Sequence, residues 1–232
     1  AAGSFPWQIL FSIVGLKDKE DGSDRPITLL ALLAAVWGSL RKGATDCWMS
    51  DAVGFLDTAI ANSSAGRCAL IRAVLAEGSC VLAHVEAALA AADIRTIYDM
   101  MRLSPLWHLA VDRGFPAPIL ALACQLYLSP RALVWGGWVA PPIYPTCAVT
   151  AGETHGNKMA KLALYALLQR QHIVHPHAPV AQWVDDLTAL VVGAQRFIVQ
   201  VLPDAMASLV NALRNAGYSL APKSALVASA QH

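Results

Sequence analysis

Hydrophobic positions recur most clearly between residues 155 and 173, where Met159, Leu162, Ala163, Ala166 and Leu167 fall on one face of a 3.6-residue period. That stretch predicts a helix. Residues 27–42 also read as a helix, ending in Arg41 and Lys42, cations that suit the negative end of a helix dipole. Residues 46–61 and 65–90 read as helical, with a break at Asn62-Ser63-Ser64. A short strand is predicted at 89–94, reaching Asp93. Helices at 104–113 and 117–128 are split by Gly114-Phe115-Pro116. Residues 132–149 read as strand and loop. A strand pair brackets Asp185-Asp186, a helix follows at 203–216, and a last strand at 218–229. No internal repeat breaks this order. The mixture predicts an α+β fold, an antiparallel sheet covered by helices.

One polar interruption stands out. In Q-W-V-D-D-L-T-A-L-V-V-G, residues 182–193, Asp185 and Asp186 sit side by side inside an apolar run. Buried strands rarely carry adjacent carboxylates unless something offsets their charge. A hairpin turn between 180–184 and 187–192 would present both at the sheet edge, where a divalent ion could neutralise them. Asp93, at the end of its own apolar strand, is the candidate third carboxylate. Taken alone, the Asp-Asp pair also reads as a solvated hairpin tip, Tyr98 as a core aromatic, and Lys223 as a surface lysine.

Composition narrows the classes. Charged residues are 14% against 56% hydrophobic, and mean hydropathy is +0.47. Soluble domains ordinarily carry about 25% charge, so this chain buries much surface in a core, a partner or a bilayer. The net charge of +1 selects no polyanionic partner. The apolar run at 27–40 is shorter than the roughly 20 residues that span a bilayer. The cysteines (Cys47, Cys68, Cys80, Cys124 and Cys147) form no C-x-x-C pair, which reads as reduced thiols in an intracellular protein, nuclear or cytoplasmic. His172, His175 and His177 cluster without a cysteine or carboxylate at ligand spacing. No nucleophile elbow and no P-loop occur.

Several motifs in order carry a resemblance. A-D-I-R-T-I-Y-D-M-M, with an aromatic five residues after Asp93, is similar to the first palm motif of reverse transcriptases of the non-LTR retroelement type. W-V-D-D-L resembles the second carboxylate box, and Asp185 follows Asp93 by 92 residues. G-F-P-A-P-I-L-A-L-A-C-Q-L-Y-L-S-P-R resembles the helical insert between them. A-G-E-T-H-G-N-K-M-A-K-L is similar to the loop and helix that cradle template and nucleotide. N-A-G-Y-S-L-A-P-K resembles the lysine-bearing motif, and D-R-P-I-T-L-L opens a segment like the fingers.

The resemblance covers about residues 17–229. It implies a polymerase palm with a partial, mostly helical fingers region: residues 1–88 fingers-like, 89–232 palm-like, thumb absent. It implies an RNA-directed DNA polymerase fragment of a retroelement, in an intact or degenerate copy, using two Mg²⁺ ions with Mn²⁺ as a substitute. Asp93 and Asp185 would bind the two metal ions with Asp186 assisting, and Lys223 would sit near the triphosphate and share in catalysis. Tyr98 would lie under the sugar of the incoming nucleotide, Gly152 would permit close backbone approach, and Arg25 would grip nucleotide phosphates. In the nucleotide loop, Gly156 stands where the family has a hydroxyl residue, and Glu153 adds a charge near the nucleotide path. The implied partners are an RNA template, a DNA primer and a deoxynucleoside triphosphate. The alternative is a non-catalytic, retroelement-derived structural subunit that meets protein partners through apolar surface, or associates with a membrane.

Overall fold

The computed structural model describes residues 3–18, 22, 24–52, 57–60, 63–222 and 224–229. In chain order the elements are α1 (Trp7–Leu10), β1 (Ser12–Asp18), β2 (Asp24–Leu29), α2 (Leu32–Ala52), α3 (Ala65–Ala83), β3 (Glu86–Asp93), α4 (Ile97–Met100), α5 (Leu103–Asp112) and α6 (Ala117–Tyr127). There follow β4 (Arg131–Trp135), β5 (Trp138–Val139), α7 (Gly156–Val174), β6 (Val180–Trp183), β7 (Asp186–Gly193), α8 (Gln195–Asn215) and β8 (Ala225–Ser229). The fold is α+β. Two compact units form, one from residues 1–52 and 98–163, the other from 53–97 and 164–232.

The first unit holds a mixed sheet of order β2-β1-β4-β5, with β1 antiparallel to β2 and parallel to β4. Residues 27–29, the start of the predicted helix 27–42, instead end strand β2. Pro26 is tolerated there because β2 is an edge strand, where a missing N–H costs no ladder bond. Gly136 and Gly137 both take positive φ, +54° and +83°, which turns β4 into β5 in two residues. Gly114 at φ +70° ends the α5 segment, and Pro116 opens α6. Leu106, Ala110, Leu120, Ala123, Leu126 and Tyr127 bury the helical faces.

The second unit holds an antiparallel sheet of order β6-β7-β3-β8. The alanine-rich run 86–92 favours helix by intrinsic propensity, yet it is the strand β3 between β7 and β8. Small side chains let two flanking strands and two helices close on it. Ala88, Ala90 and Ala92 are buried with Leu187, Ala189 and Val191 on one face. Helix α8 packs on β3 and β7, burying Ile198, Leu202, Ala205, Leu209 and Leu213 at steps of three and four. It begins eight residues before the predicted 203, because Pro203 lies inside it on an exposed face where the freed carbonyl meets water. Helix α3 packs on the same two strands. Gln171 ties α7 to α8, donating to the Ala205 carbonyl at 2.7 Å. All five cysteines are free, and among the described residues no helix is long and apolar enough to cross a membrane.

Candidate functional site

Strands β6 and β7 are joined by the two-residue turn Val184-Asp185, since Trp183 pairs with Asp186. Asp186 is therefore the first residue of β7 rather than part of the turn. Val184 takes φ +57°, a left-handed conformation that a β-branched residue adopts only under constraint, at a cost of about 1–3 kcal/mol. Part of that constraint is visible: the Asp185 carbonyl accepts from the Ile94 amide at 3.1 Å, and Gln182 Nε2 donates to the Val184 carbonyl at 2.8 Å.

Asp93 ends β3 directly opposite Asp186. Opposed residues of an antiparallel pair have Cα atoms about 4.5–5.5 Å apart and side chains on the same face. Asp185, in the turn, is next to this pair in the chain. The Asp93 backbone is fixed on its other side: its amide receives Ser224 Oγ as acceptor at 3.3 Å, and its carbonyl accepts from Ala221 N at 2.8 Å. Lys223 lies outside the described residues.

Two carboxylates held opposite each other repel. They are hard oxygen donors, and the donor set suits a hard divalent cation, which takes one or two carboxylates and completes its shell with water and substrate phosphates. Asp93 and Asp186 thus fit Mg²⁺ or Mn²⁺. Among the described residues no three His, Cys, Asp or Glu side chains converge as a self-sufficient metal cage.

The face that carries the pair is not bare. A cavity of about 240 Å³ lies between it and one stripe of α3, lined by Cys68 and Arg72 of the helix and by Asp93, Trp183, Asp186 and Thr188 of the sheet. Arg72 and Thr188 stand outside the candidate residues that the sequence motifs single out. Thr188 was legible, two residues beyond Asp186 and so on its face. Arg72 was not, because its place depends on where α3 crosses the sheet.

The first unit contains the remaining predicted residues. Tyr98 Oη donates to Asn157 Oδ1 at 2.5 Å, near the start of α7. Gly152 takes φ +83° with open space where a Cβ would be, so conformation rather than close approach requires glycine there. The crowded glycine is Gly156: a Cβ would stand 3.0 Å from the Thr150 carbonyl and 3.8 Å from the Tyr98 ring. Arg25 pairs with Lys17 in the backbone of the β1–β2 ladder.

Glu153 does not face open solvent as a charge near the nucleotide path would. It is buried, accepts from Tyr127 Oη at 2.8 Å and from the His155 amide at 2.9 Å, and so ties down the loop before α7. Burial pushes the Glu153 carboxyl up, and burial followed by the Glu153 charge pushes Tyr127 well up. Next to it, Lys158 Nζ donates to Thr45 Oγ1 at 2.6 Å and pairs with Asp46 at 2.7 Å, joining α7 to α2. His155 is fully buried, with Nδ1 3.3 Å from Thr45 Oγ1 and its ring edge-on to Trp37. Burial, reinforced by Lys158, lowers His155 to about 4. The imidazole is therefore neutral, and its 4.0 Å approach to Glu153 is no ion pair.

No family model matches the chain, and no curated protein does either. Solved structures do resemble it. Telomerase from Candida tropicalis in complex with a fragment of telomeric RNA superposes with a TM-score of 0.67 at 10% identity, over 95% of this chain and 41% of that one. Apo telomerase from the same organism, truncated of its C-terminal domain, gives a TM-score of 0.60 at 10% identity, over 97% of this chain and 51% of that one. The chain spans about half the length of these structures or less. Telomerase is a reverse-transcriptase-related polymerase, and the fold of this chain is reverse-transcriptase-like.

Proposed function

We propose that the chain is the fingers and palm part of an RNA-directed DNA polymerase of the non-LTR retroelement type. The observation that carries this reading is the register of β3 against β7, which sets Asp93 opposite Asp186 beside the Asp185 turn. Divalent ions bound there would supply charge neutralisation and Lewis acidity at reacting phosphoryl oxygens. Asp93 would hold them with the Asp185-Asp186 pair; the motif resemblance makes Asp185 the ligand and Asp186 the assistant, and the register, which sets Asp186 rather than Asp185 opposite Asp93, favours the exchange of those two roles. Tyr98 lies under the sugar and excludes a 2′-hydroxyl, with Asn157 fixing the direction of its phenol. Gly152 shapes the nucleotide loop, and the motif resemblance alone assigns the phosphates to Lys223 and Arg25. The partners are an RNA template, a DNA primer and a deoxynucleoside triphosphate. A nucleic-acid partner is supported by the telomerase neighbour solved with RNA. Extension of a labelled DNA primer on an RNA template with Mg²⁺ tests the reading; a folded protein that adds no nucleotide counts against it.

A second reading has one observation in its favour. Helix α3 lies over the face that bears Asp93 and Asp186, where a polymerase needs access for nucleic acid. A non-catalytic structural subunit would tolerate that cover. Leu70, Val74, Leu82, Trp135 and Trp138 are exposed and available to protein partners. Such a subunit would give no extension with any template while remaining folded.

A further inference from the structure

Helix α3 turns Cys68 and Arg72 toward the sheet and leaves the opposite arc uncovered. At 3.6 residues per turn, Leu70, Ile71, Val74, Leu75, Val81 and Leu82 fall within one arc of about 140°. All six are exposed, from 49% at Ile71 to 83% at Leu82. Together they leave roughly 700 Å² of apolar surface in water, above the ~300–600 Å² of the largest patch on an ordinary monomer and close to the ~800 Å² per partner of a standard interface. A helix face turned to water ordinarily carries charged and polar residues. The exposed charged residues of α3 are only Arg67, in its first turn, and Glu77. Gly78 lies on the same arc, with open space where a Cβ would be. A glycine inside a helix is less stable than alanine, and nothing among the described residues crowds it; a second helix passing close by would.

We propose that the exposed arc of α3 is a self-association face, which pairs antiparallel with α3 of a second copy about a two-fold axis beside residue 72. The order of the charges selects this occupant. Residues equally far from the axis lie level with each other, so Arg67 of each copy meets the height of Glu77 of the other, and Leu70 that of Val74. A parallel pairing would set like charges level instead. A two-fold pair needs one self-complementary patch, which this arc supplies. The net charge of +1 puts little repulsion between copies. Other occupants fit the charges less well. A bilayer surface favours a helix rich in Lys and Arg on its polar face, and a nucleic acid favours a basic stripe. Here one exposed cation is balanced by one exposed anion. The inference is independent of polymerisation.

Sedimentation velocity of the full chain at micromolar concentrations tests it, with each protein checked for folding by circular dichroism. Wild type should sediment as a dimer. Leu70→Glu/Val74→Glu should sediment as a monomer with its fold intact, because both positions face water in the single chain. Trp138→Glu, which alters an exposed residue elsewhere, should dimerise as wild type does. Arg67→Glu and Glu77→Arg should each weaken association by about tenfold at low salt, since two symmetry-related pairs turn repulsive. Arg67→Glu/Glu77→Arg should return to within about twofold of wild type. This charge series also decides the matter if the double glutamate variant fails to fold. A folded wild type that stays monomeric would overturn the proposal, as would a Leu70→Glu/Val74→Glu protein that still dimerises. A double charge reversal no tighter than the single ones would overturn the antiparallel pairing. The readout is mass rather than nucleotide addition, so each of these results leaves the polymerase reading where it stood.

Discussion

Asp93 and Asp186 face each other as a directly opposed pair across the antiparallel strands β3 and β7. Without a cation, that pairing is a liability. Opposed like charges destabilise a sheet by about 0.2–1 kcal/mol, so Asp186→Asn should raise the metal-free melting temperature slightly. Adding Mn²⁺ should reverse the order, because the ion stabilises only the protein that binds it. Calorimetric melts of both proteins with chelator and with Mn²⁺ check this. A variant that melts below wild type in chelator would show that the pair is not strained.

Tyr98 and Asn157 should behave as a coupled unit. Tyr98→Phe and Asn157→Ala each remove one partner of the 2.5 Å hydrogen bond and should cost about 0.5–1.5 kcal/mol. The double variant should cost less than the sum of the two, as read by a denaturant double-mutant cycle. Additive losses would mean that the bond contributes nothing.

The two loop glycines should fail for different reasons. Gly152→Ala meets no neighbour but strains a φ of +83°, at about 1–2 kcal/mol, and Gly152→Asn should recover part of that because asparagine accepts the left-handed region. Gly156→Ala pushes a methyl against the Thr150 carbonyl and should cost about 1–3 kcal/mol, with Gly156→Asn worse still. Urea midpoints of the four variants separate strain from crowding.

Stability should fall with acid through His155. Its folded value of about 4 lies below the ordinary 6.5, so the unfolded chain binds more protons between those limits. Stability from the neutral imidazole is complete above pH 6.5 and is lost as pH falls towards 4. Glu153 works the other way, since its raised carboxyl binds protons more readily when folded. Between pH 7 and 4.5, His155→Asn should reduce the wild-type loss by about 2–3 kcal/mol, measured by urea unfolding at each pH. Parallel curves would contradict a buried neutral histidine.

Much of this architecture was legible in the sequence, and the failures have physical causes. The apolar period from Met159 marked α7 as a helix, but its face was misplaced: Met159, Leu162, Leu164 and Leu168 are buried, whereas Ala166 is exposed and Ala163 and Leu167 are half-buried. The run Glu86–Asp93 misled because alanine favours helix in isolation, and only the strands on either side make it β3. Pro203 read as a helix start, although an exposed position lets it sit inside α8. The Asp93 and Asp185-Asp186 motifs lie at the adjoining ends of the neighbouring strands β3 and β7, where the register sets Asp93 opposite Asp186. The turn nevertheless took Val184 and Asp185, a shift of one residue that local sequence does not determine. Arg72 was invisible because its role depends on packing between α3 and the sheet.

Addition of a single deoxynucleotide to a DNA primer on an RNA template, with Mg²⁺, wild type beside Asp93→Asn and Asp186→Asn, tests the central claim most directly. The account predicts addition by wild type and a drop of at least about a hundredfold in each variant, with folding intact. Addition that persists unchanged in either variant, or a folded wild type that adds nothing, would contradict it.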